Sequence, residues 1–76
     1  MKDIIIYSTD TCSHCQSAKA YLNQRGYSYK EKNVQSDKSA RQELMDKGYR
    51  GVPIIVIDGV DIVGFDKEKM DQLLDL

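Results

Sequence analysis

Cys12 and Cys15 are the residues of this chain best equipped to do chemistry, and they stand as Cys12-Ser13-His14-Cys15. A C-x-x-C pair can staple a fold, hold a metal or exchange disulfides. A staple is poorly served by this spacing, because closing a loop of about four residues gains only ~2 kcal/mol, against ~3 kcal/mol for fifteen. A structural zinc site wants four ligands, usually Cys or His. The chain has two cysteines and one histidine, and His14 lies inside the motif, where the short tether disfavours joint tetrahedral coordination. The residues favour a redox pair, with a metal or cluster ligand and an inert structural pair as the alternatives.

A thiolate, not a thiol, attacks a disulfide. Cys15, Ala18 and Leu22 recur at helical spacing, with Tyr21 beside them and Gly26 as a natural residue to end the helix. The spacing therefore predicts a helix that begins at the cysteines. Cys12, at or just before its first turn, would meet free backbone N–H groups and the positive end of the helix dipole, which favours a thiolate. Cys15 should turn inward with Ala18 and Leu22 and act as the shielded, resolving thiol. Thr11, Ser13 and His14 surround the pair and are expected to modulate it. His14 either sets a proton or positive charge beside the nucleophile or is an exposed bystander. Lys19, four residues beyond Cys15, reads as a solvated helix residue.

Around this segment, Ile4-Ile5-Ile6-Tyr7 is continuously apolar and reads as a strand buried on both faces. It would deliver the cysteines at its C-terminal end, where α/β sheets place their ligands. Tyr27 to Val34, carrying Lys30, Glu31 and Lys32, reads as a charged edge strand. A second helix is expected with Ser36 or Ser39 as its cap, Ser39 forming a capping box with Gln42. Its inward residues would be Ala40, Leu44 and Met45, and Gly48 would end it. Asp58-Gly59 between Ile54-Ile55-Val56-Ile57 and Val60-Asp61-Ile62-Val63 predicts a hairpin closed by a type I′ turn. Pro53, the only proline, opens the first of those strands, where its missing N–H is tolerated. Asp66 can cap a last helix whose buried stripe is Met70, Leu73 and Leu74, with Phe65 and Met70 as a hydrophobic staple. The resulting order, β-α-β-α-β-β-α, implies a right-handed parallel pair plus an antiparallel hairpin. That is an α/β fold: a four-stranded mixed sheet with helices on both faces.

The chain has 76 residues, 41% hydrophobic and 30% charged, which suits one domain over 1–76 with no linker or repeat. A chain this short buries only ~60–65% of its unfolded surface. A formal charge of −1 argues against a nucleic-acid binder. No apolar run approaches the ~18 residues of a membrane span, so no membrane partner is expected. Met1-Lys2-Asp3-Ile4-Ile5-Ile6-Tyr7 lacks the ~7–15 apolar residues of a secretory signal, so the expected location is the cytoplasm.

In Ile6-Tyr7-Ser8, Thr11-Cys12-Ser13-His14-Cys15, Gly51-Val52-Pro53 and Val63-Gly64-Phe65-Asp66, the chain resembles the glutaredoxin branch of the thioredoxin fold over essentially its whole length. The resemblance implies a cis Val52-Pro53 bond packed against the cysteines, with the Val52 backbone pairing to the substrate. It also implies that Gly64, Phe65 and Asp66 receive the γ-glutamyl end of glutathione. The implied activity is dithiol–disulfide oxidoreduction by a monomer, on disulfide-containing proteins or glutathione mixed disulfides. Glutathione would be a co-substrate, and no tightly bound cofactor or metal is implied.

Three positions depart from the family pattern: Ser13-His14 stands where Pro-Tyr is usual, Thr9 where many glutathione users carry lysine, and Lys67 where a second aspartate is common. Gly48-Tyr49-Arg50-Gly51-Val52-Pro53 and Gly64-Phe65 are also similar to the small redoxins that serve ribonucleotide reductase. Those are typically reduced by a flavoprotein of thioredoxin-reductase type. Arg50 reads as a solvated loop residue, or as a source of the positive charge absent at Thr9. A different class stays open: glutaredoxin-like proteins can carry an iron–sulfur cluster between two subunits, here through Cys12 and glutathione.

Overall fold

In the computed structural model, which describes residues 3–74, the apolar run expected to be doubly buried forms β1 (Ile4–Ser8) inside a four-stranded sheet. Met1, Lys2, Asp75 and Leu76, at the ends of the expected 1–76 domain, lie outside the described residues. The remaining elements follow in the expected order: α1 (Ser13–Gln24), β2 (Lys30–Asn33), α2 (Lys38–Asp46), β3 (Ile54–Ile57), β4 (Val60–Val63) and α3 (Lys67–Leu74). The sheet order is β2-β1-β3-β4, with β1 parallel to β2 and antiparallel to β3. The charged strand β2 does lie at an edge. β3 and β4 form the hairpin, and Asp58 (φ 49°) and Gly59 (φ 84°) close it with the two positive φ angles of a type I′ turn.

Alternation along the central strands divides the core between two faces. Ile4 and Ile6 join Ile55, Ile57 and Ile62 under α1 and α3, which contribute Ala18, Tyr21, Leu22, Met70 and Leu74. Tyr7, Ile54 and Val56 point the other way and pack with Val34 against Ala40 and Leu44 of α2. Helices thus cover both faces, as the patterning of β1 and β3 requires. Asp66 caps α3 as expected, accepting from the Lys69 N–H at 3.2 Å, and Phe65 packs on the cluster that contains Met70.

The second helix ends at Gly48 (φ 88°) as expected but departs from expectation in its cap and its inward stripe. Its cap is Asp37, not Ser36 or Ser39: the Asp37 carboxylate accepts from the backbone N–H of Ser39 at 2.9 Å and of Ala40 at 3.3 Å. Ser36 is held in a tight turn instead, its N–H and that of Gln35 both donating to the Asn33 side chain. The Gln42 amide reaches forward to Asp46 rather than back to Ser39, so no capping box forms. An anionic cap also meets the positive end of the helix dipole, which a serine cannot match. Met45 is 59% exposed, not inward, because it lies one position round the helix from Leu44, beyond the stripe that Ala40 and Leu44 turn toward the sheet. Asp37→Ala should therefore cost about 1 kcal/mol, and Ser39→Ala much less. Urea unfolding of the two variants checks this; equal losses would return the cap to Ser39.

Candidate active site

β1 ends at Ser8, and the loop that follows is tied to the β2–α2 connection. The Asp10 N–H donates to the Gln35 side chain at 3.1 Å, and the Asn33 amide donates to the Asp10 carboxylate at 2.6 Å. This anchoring fixes where α1 begins. Cys12 is its N-cap, with extended backbone (φ −92°, ψ 110°), and its Sγ accepts the Cys15 N–H at 3.2 Å. The nucleophile expected at the helix start is therefore half-exposed and directly hydrogen-bonded by a first-turn amide. Cys15, one turn on, is fully buried. Burial foremost, then the hydrogen bond with Cys12, pushes its thiol up to about 12, while the Thr9 backbone and Lys19 pull the other way. Both cysteines are free thiols here.

The second part of the site arrives from forty residues away. Val52-Pro53 is a cis peptide, and the Val52 carbonyl lies 3.9 Å from Cys12 Sγ, within reach of the thiol hydrogen. The Pro53 carbonyl accepts the Gly64 N–H at 2.9 Å, which ties the β4–α3 turn to the same point. Gly64 has φ +85°, a backbone region that a side chain would strain. Between the Gly48–Ile54 segment and Val63-Gly64 lies a groove of about 340 Å³ that includes Val52, Pro53 and Arg50.

Cys12, Cys15, Val52, Pro53 and Gly64 are thus brought together. Thr11, Ser13 and His14 are exposed beside them. Of the three turn residues, only Gly64 lines the groove. Phe65 instead packs edge-to-face on Tyr21, with ring centroids 5.9 Å apart, and Asp66 is engaged as the α3 cap. Lys67 lies over the tyrosine of that pair, its ammonium 5.3 Å from the Tyr21 ring centroid.

Lys19 is not the solvated residue its sequence context suggests. Its side chain is only 15% exposed and its ammonium bonds the Glu31 carboxylate at 2.7 Å. The same carboxylate oxygen accepts the hydroxyl of Ser8, a fully buried residue, at 2.6 Å. These two donors, Lys19 foremost, hold the Glu31 carboxyl below the usual carboxylate range. A signal for this cluster was present in the sequence: Lys19 shares the stripe of Cys15 at i+4, and Ser8 is the polar end of an otherwise apolar strand.

A family model described as Glutaredoxin matches residues 4–62, which includes both cysteines and Pro53 but stops short of Gly64. The chain is 41% identical over 73 residues to a glutaredoxin-like 8.6 kDa protein in the rubredoxin operon of Clostridium pasteurianum, covering 95% of this chain and 97% of that one. It is 36% identical over 67 residues to glutaredoxin 3 of Escherichia coli strain K12, covering 87% and 81%. The glutaredoxin-like NrdH-redoxin of Escherichia coli, whose structure was determined to explain its thioredoxin-like activity profile, superposes with a TM-score of 0.85 at 25% identity, covering 93% of each chain.

Proposed function

Because the chain belongs to the glutaredoxin family, whose members are generally thiol–disulfide oxidoreductases, we propose that it reduces protein disulfides or mixed disulfides through Cys12 and Cys15. The observation that carries this reading is the asymmetry of the pair. Cys12 is half-exposed and accepts a helix-start N–H, whereas Cys15 is buried one turn behind it. Cys12 attacks one sulfur of the substrate disulfide, and the first substrate sulfur departs as a thiol. Cys15 then attacks Cys12 Sγ, which releases the second substrate sulfur and closes the Cys12–Cys15 disulfide. Val52 and Pro53 border the attacking sulfur, so an extended substrate segment can pair with the Val52 backbone there. Such a cycle needs a reducing compartment, consistent with work in the cytoplasm.

The reductant is proposed to be a flavoprotein of thioredoxin-reductase type rather than glutathione. Thr9 and Lys67 leave a glutathione carboxylate without the lysine, and its amino group without the second aspartate, that many glutathione users supply. Phe65 and Asp66 are engaged within the fold, and the similar NrdH-redoxin has a thioredoxin-like profile. The test is a side-by-side reduction assay with glutathione plus its reductase and with such a flavoprotein. We expect the flavoprotein to support turnover at least about tenfold faster, and Thr9→Lys to raise the glutathione-coupled rate. A glutathione-coupled rate equal to that of glutaredoxin 3, unchanged by Thr9→Lys, sinks the assignment. Visible absorption of the protein purified anaerobically with glutathione tests the cluster-carrier alternative in the same preparation.

A further inference from the structure

The Cys12 half of the exchange is explained by the helix start, but the Cys15 half faces an obstacle. Cys15 must attack as a thiolate, and it is fully buried, where charge is disfavoured. Something nearby must favour its ionisation.

Lys19 follows Cys15 by one helical turn, and side chains on a helix lean toward its N-terminus, so Lys19 leans back over Cys15. The fold holds it there. In the parallel register Glu31 stands opposite Ile6, two residues before Ser8, on the sheet face covered by α1. From that position one Glu31 oxygen holds both the Lys19 ammonium at 2.7 Å and the buried Ser8 hydroxyl at 2.6 Å. A long, flexible side chain is thereby held on α1 one turn from the buried thiol, which a solvated lysine could not achieve.

We propose that Lys19, pinned by Glu31 and Ser8, is a positioning residue for the resolving step, its ammonium stabilising the Cys15 thiolate as that thiolate forms. The inference rests on the proposed dithiol function. In the step itself, Cys15 gives its proton to water and its sulfur bonds to Cys12 Sγ. The bond from Cys12 Sγ to the substrate sulfur breaks, and that sulfur leaves as a thiolate and takes a proton from water. Lys19 stays charged throughout and is neither acid nor base. The charged and titratable groups that bear on this pair are Cys12 at the start of α1, Lys19 on α1, Glu31 on β2 and Tyr29 just before β2. Among them Lys19 is the cation that favours the Cys15 thiolate.

Single-turnover kinetics on a protein disulfide separates the two halves. Mixed-disulfide formation at Cys12 is followed in a Cys15→Ser background, and release of the second substrate thiol in the dithiol protein, both across pH 6–10. Lys19→Met should leave the first rate unchanged and slow the second about tenfold near pH 7, so that the pH needed to reach the parent's pH 7 rate rises by about one unit. Lys19→Arg should restore most of the second rate. A Lys19→Met protein whose second rate matches the parent across this range overturns the proposal. So does one whose two rates fall together, or whose second rate Lys19→Arg does not restore, since Lys19 would then act on the fold alone. A parent protein that forms no mixed disulfide at Cys12 rejects the dithiol function itself, a result distinguishable from all of these.

Discussion

Cys12→Ser is expected to lower disulfide reduction to the uncatalysed rate, whereas Cys15→Ser should still form a mixed disulfide and then stop. The difference follows from where the helix begins. Cys12 caps α1, partly open to solvent, and its sulfur accepts the Cys15 N–H at 3.2 Å. A serine hydroxyl at the same position cannot be ionised near neutral pH and forms no bond with a disulfide sulfur. Cys15 is shielded, and with its thiol pushed up to about 12 it stays protonated near neutral pH. It becomes competent only when a disulfide is presented to it at Cys12, where attack is intramolecular. Mass spectrometry of each variant after exposure to a protein disulfide reads the outcome directly. Iodoacetamide labelling of the reduced parent near neutral pH should modify Cys12; preferential modification of Cys15 would reverse the two roles.

The same buried thiol makes the reduced protein sensitive to alkali in a way the oxidised protein is not. A thiol whose folded pKa is raised favours the folded state while it is protonated in both folded and unfolded chains. That stabilisation is complete below the unfolded value near 9 and is lost as pH rises toward the folded value of about 12. Three pKa units correspond to about 4 kcal/mol across that interval, a large part of the ~5–15 kcal/mol of a small domain. The oxidised form has no thiol to titrate, so its stability escapes this loss. Tyr7, Tyr21 and Tyr49 are also raised, Tyr7 by burial and the others chiefly by hydrogen bonds to Asp71 and Asp61, but they titrate in both redox forms and largely cancel in the comparison. Urea midpoints of the reduced and oxidised proteins, measured from pH 8 to 11, should move apart with the reduced form falling. Cys15→Ala should remove most of the reduced protein's additional slope. Curves that stay parallel would contradict a Cys15 thiol buried as deeply as described.

How much of this was legible beforehand depends on the range of the interactions involved. Cys12 as the start of α1, Asp58-Gly59 as a type I′ turn and Asp66 as the cap of α3 are each settled within about four residues. Apolar runs at Ile4–Tyr7 and Ile54–Ile57 likewise require strands covered on both faces, since every side chain in them must leave water. Cap choice at α2 was harder, because Ser36, Asp37 and Ser39 are all adequate caps. The winner was decided by the turn that Asn33 makes as the chain leaves β2. Met45 turns outward because a nine-residue helix resting on Tyr7, Val34 and Val56 buries a stripe only one residue wide. The elements, their order and the reactive pair are legible locally, because periodicity, caps and turns act over a few bonds. Packing of the whole chain set β3 antiparallel beside β1, which carries Val52 and Pro53 across forty residues to Cys12. It also decided that Glu31, a charged residue on an edge strand, reaches α1 and holds Lys19, one helical turn beyond Cys15. Both outcomes depend on strand register, and register is set by how two sheet faces share one core rather than by any local pattern.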